Sequence, residues 1–163
     1  MTDKTAFTPE EWGQILASPM LAGMAVTLAD PGGLFGTLKE GMAAPAAVLQ
    51  ARKDQTGSLL ARTIADEFVT PAGRDATRAA IKATLTARNP AQVKQQALDA
   101  LRNVNTLVGS KAPDEADGFR SWIQSVADKA AEASMEGGFL GIGGVQVSAA
   151  EKATLAEIRS ALS

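Results

Sequence analysis

Large apolar residues recur along this chain at intervals of three and four, the spacing that gathers side chains on one side of an α-helix. The gaps between these runs coincide with helix-capping signals. In Thr8-Pro9-Glu10-Glu11 the threonine hydroxyl can accept from the unpaired N–H groups of a first turn, the proline suits the first helical position, and Glu11 can close a capping box. The helix that follows carries Trp12, Ile15 and Leu16. Ser18-Pro19 repeats the device and predicts a break, with a second helix over Met20–Ala29 that Asp30-Pro31-Gly32-Gly33 ends. Leu34–Asp54 reads as helix again, bent or divided by Gly36, Gly41 and Pro45.

Beyond Gln55-Thr56-Gly57, Ser58 can cap a helix whose Leu60, Ile64 and Phe68 form one stripe. Thr70-Pro71-Ala72-Gly73 is the next punctuation, and a helix over Asp75–Ala87 follows. On a wheel, Ala76, Ala80, Ala83 and Ala87 share one side of it, while Ile81 and Leu85 lie opposite among Arg74, Arg78 and Lys82. Asn89-Pro90 caps a helix with a continuous stripe of Val93, Ala97, Ala100, Leu101, Val104, Leu107 and Val108, which the run from Gly109 to Pro113 closes. Asp114 is the expected cap of the next helix, which places Phe119, Trp122, Ile123, Val126, Ala127, Ala130 and Ala133 on one face. Gly137-Gly138 stops it. Ser148-Ala149-Ala150-Glu151 is a second capping box, and Leu155, Ile158 and Leu162 are the seam of a last helix.

These elements predict an all-α fold: a single-domain irregular bundle of seven or eight helices over residues 1–163, with residues 1–7 a disordered tail and a glycine-rich apolar loop before the last helix. Strand signals are lacking apart from Val145-Gln146-Val147, which has no partner run. A chain of 163 residues can bury a sizeable core. With 32 alanines and an aromatic share of only 4%, that core must be built of small and aliphatic residues at short interhelical distance.

Composition bears on chemistry mainly by subtraction. Cysteine, histidine and tyrosine are all absent, which removes thiolates, disulfides, the commonest metal ligand and the commonest acid–base group at neutral pH. Net charge is −2, too small to advertise a nucleic-acid or membrane-surface binder. The first residues lack a basic segment followed by an apolar core, and no apolar run reaches the length of a membrane span, so a soluble cytoplasmic protein is expected.

The stretch from Gly137 to Val147 invites comparison with phosphate-cradling loops. It fails the requirement, since Gln146 stands where G-x-G-x-x-G needs its last glycine and both flanks are helical. Glycines interleaved with Phe139, Leu140, Ile142 and Val145 instead suit a connector whose backbone passes close to helices. Its mixture is also similar in composition to membrane-inserting fusion segments, although no polybasic anchor lies beside it, and membrane attachment is not expected.

Arg74, Arg78 and Lys82 form a basic stripe, within a segment from Arg74 to Lys111 that holds seven basic residues against Asp75 and Asp99. An anionic contact is one reading, and a solvated face over Ile81 and Leu85 is the other. No aromatics interleave the stripe, so nucleic acid is not expected as a partner. Asp128, Glu132 and Glu136 face away from the apolar stripe of their helix and read as a solvated acidic face. No catalytic residue, cofactor or metal ligand is assigned. The reading that results is a non-catalytic, scaffold-type interaction domain for a protein partner or a second copy of itself. Its contacts are expected at Phe139, Leu140 and Ile142 or at Arg74, Arg78 and Lys82. The alternative is a carrier of a small apolar, acyl- or lipid-like molecule in a cavity between helices, and an enzyme using Asp, Glu or Lys comes third.

Overall fold

From Trp12 to Ala29 the chain holds no charged residue. A helix that is apolar or small on every side has no face to offer water and is stable only when surrounded. The computed structural model, which describes residues 4–29, 37–54, 57–136 and 147–163, with side chains in all of these but 37–43 and 134–136, places this stretch at the centre. It forms α1 (Pro9–Thr27), and around it lie α2 (Thr37–Ala51), α3 (Leu59–Phe68), α4 (Pro71–Thr84), α5 (Pro90–Lys111), α6 (Pro113–Glu136) and α7 (Ala149–Ala161). Every one of these six packs against α1. The fold is all-helical, with seven α-helices and no strand among the described residues, as the periodicity predicts. None of these helices is long and apolar enough to cross a membrane.

The break expected at Ser18-Pro19 does not occur. Pro19 has no N–H to give to the Ile15 carbonyl four residues back, and a buried carbonyl left without a donor is costly. The Ser18 hydroxyl supplies the missing donor, bonding Ile15 O at 2.7 Å in the fully buried interior. Serine here repairs the helix instead of capping a new one. Replacing Ser18 by alanine is therefore expected to cost about 1–2 kcal/mol in a urea melt. In a Pro19→Ala background, where a backbone N–H returns, the same change costs far less. Equal costs in the two backgrounds would refute the repair.

The disorder expected over residues 1–7 does not extend to residues 4–7, and residues 1–3 lie outside the described residues. Lys4–Ala6 forms a 3-10 turn, and Phe7 is buried with its ring 6.0 Å from that of Trp12. Thr8 and Glu11 make the predicted capping box, so Phe7 before the cap and Trp12 in the first turn act as a hydrophobic staple. Glu11 also receives Lys111 Nζ at 2.9 and 2.6 Å, joining the start of α1 to the end of α5. That hydrogen bond, with the one from the Thr8 backbone N–H, holds the Glu11 carboxyl below the ordinary range. A lowered folded-state pKa means that the tie is intact near neutrality and is lost only as acid protonates the group.

Boundaries differ elsewhere for local reasons. Thr70 is the N-cap of α4, accepting from Gly73 N at 2.9 Å, so this helix begins at Pro71 and ends at Thr84. The Gln96 side chain from α5 accepts from the N–H groups of Thr86 and Ala87, each at 3.1 Å, and thereby takes up as a linker what the pattern predicts to be a last helical turn. Helix α5 passes through Gly109 to Lys111, and α6 starts two residues later at Pro113. Asp114 consequently lies inside the first turn of α6, where a carboxylate suits the helix dipole, and is not its cap. Helix α2 runs through Pro45 without a division.

The core follows the predicted stripes. Leu60 and Ile64, Leu101, Val104 and Val108, and Phe119, Ile123 and Val126 are all essentially inaccessible. In α4 both the alanine side, through Ala76 and Ala80, and Ile81 touch the main cluster, as does Leu85 just after the helix. The last helix is seated by its own contacts: Ile158, Ala161 and Leu162 are buried, Lys94 Nζ reaches Glu157 at 2.7 Å, and Asn105 Nδ2 reaches Ser163 O at 3.2 Å. The glycine-rich loop expected to pin α7 lies outside the described residues for 137–146.

Candidate functional site

On α6, residues 118, 121, 122, 125 and 129 recur at three- and four-residue steps and therefore share one side of the helix. Four of the five are small or basic: Gly118, Ser121, Ser125 and Lys129, with Trp122 among them. This side does not fill the space between α6 and its neighbours. It forms one wall of a groove of about 610 Å³, whose other walls are Ala47, Gln50 and Ala51 at the end of α2, Lys53, Asp54 and Gly57 in the following connection, and Ser58 and Ala61 at the start of α3.

Two features hold the walls in place. Ser58 caps α3 by accepting from Ala61 N at 3.2 Å, while its hydroxyl donates to the Glu115 carboxylate of α6 at 2.8 Å. Glu115 also accepts from Leu60 N at 3.1 Å, so α6 caps α3 from outside its own sequence. The second feature is the closeness of Gly118 to Ser58, where a Cβ would lie 2.9 Å from the serine Cβ.

Trp122 joins the groove to the interior. It packs, half-buried, against all three apolar clusters of the fold, and its ring lies 6.3 Å from that of Phe119 at 55°. Expected from the sequence as part of the apolar face, it is also a wall of the groove. Its indole Nε1 is buried and has no hydrogen-bond partner among the described residues. At the rim, Lys129 Nζ donates to the Gln50 side-chain oxygen, and Asp54 Oδ1 accepts from Gly57 N at 3.1 Å, closing the turn between α2 and α3.

The basic stripe is elsewhere. Arg74, Arg78 and Lys82 all lie exposed on α4 and contribute nothing to this groove. Arg74 Nη1 donates to Val69 O at 2.7 Å, and Arg78 pairs with Asp75 at 3.3 Å. Phe139, Leu140 and Ile142 lie outside the described residues. The acidic residues are engaged or solvent-facing: Asp66 with Arg52 at 2.9 Å, Glu67 with Lys4 at 2.6 Å, Asp128 with Gln124 Nε2 at 3.1 Å, and Glu132 exposed. Among the described residues no three carboxylates gather where a metal ion could sit. Ser110 and Lys111 bond to Leu107 O and Glu11 and do not face each other as nucleophile and base.

Sequence patterning does not reveal the groove, because most of its α6 residues read as the polar side of that helix. The available signal is the interleaving of Gly118, Ser121 and Ser125 with Trp122, a tryptophan flanked by side chains too small to cover it. Compared with known proteins, the chain matches no family model, no curated protein and no solved structure at a significant level.

Proposed function

We propose that this chain is a non-catalytic binding module whose site is the groove between α2, α3 and α6. The observation that carries the reading is the groove's size and lining: about 610 Å³, with an aromatic wall, small apolar residues and a few polar groups at the rim. Small-molecule sites generally occupy roughly 300–1,000 Å³ and combine those same elements. Non-catalytic binding is supported by the chemistry on hand, since the described carboxylate in the lining, Asp54, is occupied by the turn it closes. The occupant suited to this space is a small, partly apolar molecule.

A second reading, a scaffold-type domain for a protein partner, is favoured by one separate observation. Helix α4 leaves its basic outer side, with Arg74, Arg78 and Lys82, uncovered by the rest of the fold. Native mass spectrometry of protein purified from cells separates the two. A retained small-molecule mass that disappears in a folded Ser121→Phe variant is the expected result. An empty protein accompanied by a co-purifying protein partner would favour α4, and a retained mass indifferent to Ser121→Phe would remove the groove from consideration.

A further inference from the structure

We infer that the ligand of this groove is a small organic anion with a short apolar body, its charged end held by the ammonium groups of Lys53 and Lys129. This rests on the groove being the binding site. The charged residues in its lining are Lys53, Asp54 and Lys129, two cations to one anion. The anion, Asp54, accepts from Gly57 N, whereas Lys129 bonds to a neutral oxygen, that of Gln50, and keeps its charge uncompensated by that bond.

Two carboxylates of α3 and α6 are already engaged. Arg52 and Asp66 neutralise one another at 2.9 Å, and the carboxylate nearest the start of α3, Glu115, is taken up by Ser58 Oγ and Leu60 N. The positive end of α3 is thus already satisfied by a carboxylate of the protein itself, and the lysines are what remains for an external anion. Ala47, Ala51, Ala61 and Trp122 of the same lining offer carbon to the ligand. A molecule with a charge at one end and a short hydrocarbon or aromatic body at the other satisfies both halves. A neutral molecule leaves the lysines unused, and a cation meets them with repulsion.

Three eight-carbon probes that differ only at the head group test this: octanoate, octan-1-ol and octylammonium, titrated into the full chain by ligand-observed NMR. Each partly exposed charge contact is worth a factor of a few in affinity. Octanoate is therefore expected to bind about tenfold more tightly than octan-1-ol, with octylammonium weakest, and the advantage shrinks as salt is raised. Lys53→Gln with Lys129→Gln removes the advantage of octanoate over octan-1-ol. Lys53→Glu with Lys129→Glu reverses the order in favour of octylammonium.

The failures are distinguishable. If octanoate and octan-1-ol bind equally and a folded Ser121→Phe variant blocks both, the anion inference falls while the groove stands as the site. If no probe binds, or Ser121→Phe blocks none of them, the site itself is wrong and the inference falls with it. The charge-reversed variant tests the preference for an anion without depending on how Ser121→Phe folds, and an unchanged probe order in it would overturn the inference.

Discussion

Replacing Gly73 with alanine is expected to disrupt the corner between α3 and α4, at a cost of about 3 kcal/mol or more in chemical denaturation. A Cβ at this position would lie 2.0 Å from the carbonyl oxygen of Glu67 and 2.6 Å from its carbonyl carbon. Both are backbone atoms, and that oxygen already accepts from Thr70 N at 2.9 Å and Thr70 Oγ1 at 2.8 Å. Nothing at the far end of a flexible side chain can move aside, so two helices must separate instead. Gly109→Ala provides the contrast. Its Cβ would meet Arg120 Nη2 at 3.7 Å, an ordinary contact, within the continuous helix α5. There the gain in helix propensity should stabilise the protein by about 0.5–1 kcal/mol. The same substitution thus has opposite signs at two sites, and a Gly73→Ala protein with an unchanged denaturation midpoint would show that the corner yields without cost.

Phe119→Ala is expected to cost about 3–5 kcal/mol, the range for deleting a buried phenyl ring that its surroundings cannot refill. Phe119 is fully inaccessible and belongs to the main cluster. Its neighbours come from helices held independently by caps and ion pairs, which limits their collapse into the space. The ring also lies against Trp122, so its loss removes support from the groove wall. Two readouts should move together: the denaturation midpoint falls, and the tryptophan wall loses affinity for the octanoate probe. Phe119→Leu keeps most of the volume and should retain most of both. A loss below about 1 kcal/mol for the alanine variant would mean that the site does collapse, and would contradict the rigid seating of α6.

Local chemistry is legible because it requires only residues close in sequence. A capping box needs a hydroxyl and a carboxylate three positions apart, and Thr8 with Glu11 and Ser148 with Glu151 form such boxes where expected. Ser58 and Asn89 cap α3 and α5 for the same reason. Ser18-Pro19 misleads because two outcomes share that dipeptide: a serine before a proline either caps a new helix or donates to the carbonyl that the proline strands. The choice depends on burial. An exposed α1 could break there and let water satisfy Ile15 O, but at the centre of the bundle the chain must carry on and satisfy it internally.

The groove is less legible still. Ser121 and Ser125 sit on the less apolar side of α6, and nothing within one helix tells whether such a side faces water or a neighbouring helix at a distance. The order of importance along the chain differs as well. The glycine-rich run from Gly137 is the most unusual stretch by composition, whereas the structure is arranged around α1, whose lack of charge from Trp12 to Ala29 is plain in the sequence.

By itself, then, the sequence determined the helical class, most helix starts, and which residues of each stripe turn inward, because periodicity and capping act over one or two turns of chain. Tertiary structure alone decided that α1 is central and unbroken, that Glu115 of α6 caps α3, and that Lys53 and Lys129 line one groove walled by Trp122. Those relations join residues far apart in sequence, such as Ser58 and Glu115, 57 positions apart. Their energies arise from packing between helices, which no pattern within a single helix encodes.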